Sequence, residues 1–240
     1  MDTIKISDKK QAKMVAHMGL SGIERENSIL AFVAAGNRDY FGIECDIHVT
    51  SDGNYVVYHD DRTNRFCNGD YPVEESSLEC LRALKLKESQ SDLFSDTLKI
   101  PTLSEYIAVC KRYDKVAVVE LKNPVVEEHI VKIVNLCHFE YNPEKIIFIS
   151  FCFENLVCIR KHFPSQKVQF LCNKIDDELI ERLKRHRFDL DVWYPALNEE
   201  NARALKRAGI VVNSWTCDDL KDAERLISYG VDYITTNILQ

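Results

Sequence analysis

No run of about 18 apolar residues occurs anywhere in the 240-residue sequence, so no membrane-spanning helix is expected. The opening MDTIKISDKKQAKM is polar and lacks the apolar region of a secretory signal. The nine cysteines are odd in number and include no CxxC pair, which argues against both a zinc site and a disulfide framework. Most of them sit in apolar strand or helix patterns, where a free thiol behaves as a small buried hydrophobe. Together these absences predict a reducing, cytoplasmic setting. Basic charge is also short: the formal net charge of −7 excludes a general polyanion binder, no nucleic-acid partner is expected, and any phosphate binding must be local. There is no Gly/Ser-rich linker and no low-complexity tract, so residues 1–240 are expected to form one domain, long enough for a single α/β barrel.

What is present concentrates in residues 42–61, GIECDIHVTSDGNYVVYHDD. Strand residues two apart share a face, so Glu44 and Asp46 can reach one hard cation together. Asp52-Gly53 is a strong hairpin signal, and the returning VVYHD strand delivers His59 beside the acids. A bland alternative is an exposed strand with a solvated acidic edge. It must also accommodate Ile43, Ile47, Val56 and Val57, which read as strand core and leave the acids among apolar neighbours. Buried acids need a partner, and a cation is the economical one.

Short apolar runs alternate with helical patterns over most of the chain, the signature of repeated βα units around a parallel sheet. Strands are expected near 14–17, 42–49, 55–59, 115–121, 146–151, 167–172, 189–193, 210–214 and 232–236. The third joins the second by a tight turn, whereas parallel neighbours need a crossover of about a dozen residues. It is therefore an antiparallel excursion, and the remaining eight predict a TIM (β/α)8 barrel with helices near 27–36, 102–113, 125–138, 153–162, 176–186, 198–207 and 218–228. Residues 60–100 read as a small insertion over the mouth, with a helix near 77–86. Barrel chemistry sits at the carboxyl ends of the strands, and His17, Glu44, Asp46, Glu120, Lys122 and Trp215 all fall there.

These residues resemble the glycerophosphodiester phosphodiesterase family, whose pattern opens HRG, PENT and an AF-containing helix, then IExD, T-x-DG and VVxHD. The counterparts are HMG at 17–19, RENS at 25–28, AF at 31–32, IECD at 43–46, TSDG at 50–53 and VVYHD at 56–60. IPTLSEYI at 100–107, ELK at 120–122, SF at 150–151, NSWT at 213–216 and GVDYITTN at 230–237 continue the likeness over nearly the whole chain. The resemblance implies hydrolysis of a glycerophosphodiester to glycerol 3-phosphate and an alcohol. It further implies one divalent cation, Mg²⁺ or Ca²⁺, held by Glu44, Asp46 and Glu120, with His17 and His59 as the acid/base pair in either order. Lys122 would contact the phosphate, and Trp215 and Phe151 would line the glycerol or head-group pocket.

Two alternatives stand beside it: a phospholipase D-like enzyme on the same barrel, and a non-catalytic barrel that binds metal and ligand. Met18 departs from the family's pattern, which has Arg there; a thioether cannot grip phosphate through paired hydrogen bonds. Either Arg25 reaches the phosphate instead, or Lys122 and the cation carry its charge. Asn27 is a candidate helix cap with Glu26 at the helix's positive end. Asp60 is a candidate to orient His59, His48 shares the face of Asp46, and His129, His138, His162 and His186 fall on helices at the surface.

Overall fold

Strand β2, Gly42–Val49, is buried over all but its last residue, and β4, Val116–Leu121, and β5, Ile146–Ser150, are buried throughout. Strands covered on both faces belong to a parallel sheet flanked by helices. The computed structural model, which describes residues 2–240, shows that sheet closed on itself. β1 (Lys13–Ala16), β2, β4, β5, β6 (Lys167–Cys172), β7 (Asp189–Trp193), β8 (Val212–Trp215) and β9 (Tyr233–Thr236) are all parallel, and β1 pairs with both β2 and β9. The result is the expected TIM barrel of eight parallel strands with helices between them.

The helices are α1 (Ile29–Gly36), α2 (Leu78–Ala83), α3 (Leu103–Arg112), α4 (Glu127–Glu140), α5 (Phe153–His162), α6 (Asp177–His186), α7 (Glu199–Arg207) and α8 (Leu220–Tyr229). Local chemistry sets several of their starts. Ser28, Asp176 and Asp219 accept from backbone N–H groups of the first turn, and Thr102 with Glu105 forms a capping box. Gly230 ends α8 at φ 82°, a left-handed position that glycine takes without strain.

Period two along each strand decides what faces inward. Ile43, Cys45 and Ile47 of β2 and Ala117, Val119 and Leu121 of β4 point out into the main core beneath the helices. Val15, Val116, Val118, Ile147, Ile149 and Leu171 form a second cluster inside the barrel. The same parity turns Glu44 and Asp46, Glu120, Asp191 and Asn213 inward, all buried.

β3, Tyr55–Val57, is the antiparallel excursion, with Ile47 opposite Val57 and Val49 opposite Tyr55. Its turn is fixed by Thr50, which donates to Asp52, and by Gly53 at φ 77°. Beyond it, residues 58–101 wrap a small core of their own, including Tyr58, Val73, Leu81, Leu86 and Ile100. Helix α2 is shorter than the expected 77–86. Leu84 turns extended at ψ 149°, and the chain that follows forms bridges from Leu86 to Cys67 and from Lys87 to Phe94. The two guanidinium nitrogens of Arg82 grip Glu105 at 2.7 and 2.8 Å and tie this segment to α3. All nine cysteines are unpaired thiols. No helix among the described residues is long and apolar enough to cross a membrane.

Candidate active site

Glu44 and Asp46 project from β2, and Glu120 ends the neighbouring β4 at the register position of Asp46. One carboxylate oxygen from each lies within 4.8 Å of the others, although the three residues are only 2, 1 and 7% exposed. At that separation two like charges repel by roughly 3 kcal/mol at an effective dielectric of about 20. Lys122 is the ammonium among them, its Nζ 3.2 Å from Asp46 Oδ1 and 3.0 Å from Glu120 Oε1. One positive charge against three acids leaves the cluster overloaded. Burial, then Asp46 and Glu120, push Glu44 well above the ordinary carboxylate range; burial and Asp46 push Glu120 up to about 7. Asp46 goes the other way: burial opposes its ionisation, but Lys122, His59, an Asn27 hydrogen bond and His17 together outweigh it.

Two of the acids are also held in place. The Met18 N–H donates to Glu44 Oε2 at 2.7 Å, and the Asn27 amide donates to Asp46 Oδ2 at 2.7 Å. Glu44 Oε1 is left without any partner, and Glu120 Oε1 has only the off-line approach of Lys122, outside hydrogen-bonding angles. Orphaned, inward-facing carboxylate oxygens beside surplus negative charge are what a hard divalent cation requires of a site, and the all-oxygen set fits one.

Two imidazoles flank the acids. His17 follows β1 and His59 follows β3; both line a cavity of about 140 Å³ together with Glu44, Glu120, Lys122, Phe151 and Trp215. His17 Nδ1 lies 2.8 Å from Asn237 Oδ1. The amide of Asn237 donates to Asp218 at 2.6 Å, which fixes its oxygen as the acceptor and makes His17 Nδ1 the protonated nitrogen. His59 Nδ1 lies 2.7 Å from Asp60 Oδ1. Both rings therefore keep Nε2 free. Asp60 is gripped in turn by Arg65, at 2.5 Å from Nε, and Arg65 also forks onto Glu26 at 2.6 and 3.1 Å. Phe151 and Trp215 meet edge to face, centroids 5.6 Å apart, and the Trp215 indole donates to the Asp191 carbonyl. A larger hollow of about 270 Å³ opens at the opposite, amino end of the strands, against Lys206, Ile210, Tyr229 and Asp232, away from all these groups.

The glycerophosphoryl diester phosphodiesterase family model matches residues 17–239. The chain belongs to this family. It is 31% identical over 231 residues to the glycerophosphodiester phosphodiesterase of Caldanaerobacter subterraneus, with 93% of each chain covered. The enzyme of the same name from Bacillus subtilis is 30% identical, with 93% of this chain and 82% of the relative covered. Among solved structures, an Oleispira antarctica phosphodiesterase in complex with the product sn-glycerol-3-phosphate superposes with a TM-score of 0.86 at 25% identity, covering 95% of this chain and 93% of that one. Membership makes the chain an enzyme of the phosphoric diester hydrolase class.

Within the family frame, several expectations are revised. Arg25 does not face the cavity: its guanidinium donates to the Lys87 and Glu88 carbonyls and lies over the Phe66 ring at 3.9 Å, so it cannot replace the family's arginine. Met18 takes a left-handed φ of 52° with its side chain buried. Ser28, not Asn27, caps α1, and Asn27 instead serves Asp46. His48 bonds Glu74 at 3.0 Å and so turns toward the insertion rather than to the acids. Of the four helix histidines only His162 is exposed; His129, His138 and His186 are half-buried against Tyr55, Phe163 and Phe153. Asn237, Asp218, Arg65 and Asp191 went unnoticed in the sequence. Asp191 had a signal: it alternates with Leu190 and Val192 in a buried strand.

Proposed function

We propose that residues 1–240 form one catalytic domain that hydrolyses glycerophosphodiesters to sn-glycerol 3-phosphate and an alcohol, in glycerophospholipid metabolism of the cytoplasm. The observation that carries this is the pair of imidazoles with free Nε2 atoms flanking three buried acids that share one ammonium, with Glu44 Oε1 left without a partner. Glu44, Asp46 and Glu120 would hold one divalent cation, Mg²⁺ or Ca²⁺. When bound there, it supplies Lewis-acid stabilisation of the charge on phosphate and leaving oxygen.

The protein's own groups do the rest. One histidine, with Nε2 unprotonated, takes there a proton of the attacking water, and the other enters as the imidazolium and gives its Nε2 proton to the departing alkoxide. Asn237 and Asp60 orient the two rings and make the Nδ1–H tautomer the favoured one. Burial alone lowers the pKa of Lys122, but Asp46 and Glu120 more than reverse this, so it stays charged and contacts the phosphate. Phe151 and Trp215 form the apolar wall for the glycerol or head-group carbons. A net charge of −7 favours a small phosphodiester over a nucleic acid as substrate.

Glycerol 3-phosphate release from glycerophosphocholine, glycerophosphoethanolamine and glycerophosphoinositol tests the assignment. Release from at least one is expected. Tight binding of all three without turnover would point instead to a non-catalytic barrel.

A further inference from the structure

Of the polar residues lining the cavity that the chemistry above does not use, Asp191, Thr216 and Thr235, only Asp191 carries a carboxyl. Asp191 lies in the middle of β7 and lines the cavity, yet is only 1% exposed. Its Oδ2 accepts from the Asn213 amide at 3.1 Å, whereas its Oδ1 has no partner at all. Asn213 is itself fully engaged, since its oxygen accepts from the Thr235 hydroxyl at 3.1 Å and from the Ser214 N–H at 2.8 Å. The carboxyl is thus held rigidly from behind by a strand-to-strand network and presents one unused oxygen. Its cavity neighbours Ile149, Leu171 and Trp215 offer carbon surface, with the indole fixed against the Asp191 backbone.

A buried polar atom left unpaired in a rigid setting is destabilising unless something completes it. Phosphate is better served on the Lys122 side of the cavity, which offers it a positive charge that Asp191 lacks. A second cation is equally unsuited, since Asn213 has spent its oxygen on the Thr235 hydroxyl and the Ser214 N–H and turns its amide N–H, a donor, toward Asp191. A hydroxyl suits the group whether the carboxyl accepts or donates, and the apolar walls suit the carbons that carry it. We propose that Asp191 is a specificity-determining residue for the glycerol half of the substrate, its Oδ1 pairing with one free glycerol hydroxyl. This rests on the phosphodiesterase assignment for the identity of the ligand.

The test is a coupling measurement. Values of kcat/KM are compared for wild type, Asp191→Leu and Asp191→Ala on a glycerophosphodiester and on two analogues, each lacking one glycerol hydroxyl. Asp191→Leu is expected to lose about tenfold to a hundredfold on the parent substrate and almost nothing on one of the analogues, because the partner is then already missing. Asp191→Ala repeats the comparison should the leucine variant fold poorly. The same coupling is read without turnover by calorimetric binding of sn-glycerol 3-phosphate and its two deoxy counterparts. If turnover is absent but this coupling holds, the catalytic assignment fails and the hydroxyl contact stands. An equal loss on all three compounds, no loss on the parent, or a loss that follows the head-group ammonium would overturn the proposal.

Discussion

In the proposed scheme Glu44 carries both chemistry and a stability penalty. Burial and the two neighbouring acids hold its pKa well above normal, and its Oε1 has no partner. Glu44→Gln removes that charge while keeping an oxygen for the Met18 N–H. We expect the variant, in chelator, to be more stable than wild type by about 1 kcal/mol or more by urea denaturation, and to lose nearly all turnover. Equal stability would mean the acids do not strain the metal-free fold. The histidines behave differently, since neither is placed to ligate through its free Nε2 in the proposed scheme. His17→Ala and His59→Ala should each lower kcat by roughly a hundredfold or more while leaving cation affinity by calorimetry within a few-fold. Full activity in either would remove that residue from proton transfer. Most of these side chains could be read from the sequence because each ends a strand or alternates along one. Asp218 and Asn237 could not, because their link to His17 joins chain positions some 200 residues apart.

At the scale of elements, β3 and the 58–101 segment form the part of the site's architecture that lies outside the eight-stranded barrel. Besides Arg82, two arginines help to secure it. Arg25 donates to the Lys87 and Glu88 carbonyls, stacks on Phe66 and does not line the cavity. Arg25→Ala should therefore lower stability by about 1–3 kcal/mol in thermal unfolding and leave KM within twofold. A large rise in KM would restore it as a phosphate clamp. Arg65 instead bridges Glu26 to Asp60, the partner of His59. Arg65→Ala is expected to lower kcat about tenfold with KM little changed, and Arg65→Lys to recover only part, since lysine cannot make the fork onto Glu26. An unchanged kcat would show that Asp60 holds the ring unaided. The sequence signalled the hairpin clearly through Asp52-Gly53, whereas the early end of α2 depended on bridges to Cys67 and Phe94 that no local pattern announces.

At the scale of the whole molecule, the barrel was legible because eight apolar strands and their helices obey two distinct periods, and the single tight turn marked β3 as the odd strand out. Boundaries moved by a residue or two, as where β1 stops at Ala16 and leaves His17 on the turn. Closure of the sheet is what makes the site: it brings His17 from the first stave, the acids from the second and third, and Asn237 from beyond the last to one mouth. Local pattern pointed to strand ends that the fold gathers at one mouth, but not to which side chains support one another across it. In the proposed function, this convergence assembles a cation-dependent phosphodiesterase. The most direct test is glycerol 3-phosphate release from a glycerophosphodiester by the intact chain, before chelation, after chelation, and after adding back Mg²⁺ or Ca²⁺ singly. Loss of activity in chelator and recovery with one of the two ions is predicted; full activity in chelator would contradict a three-carboxylate cation site.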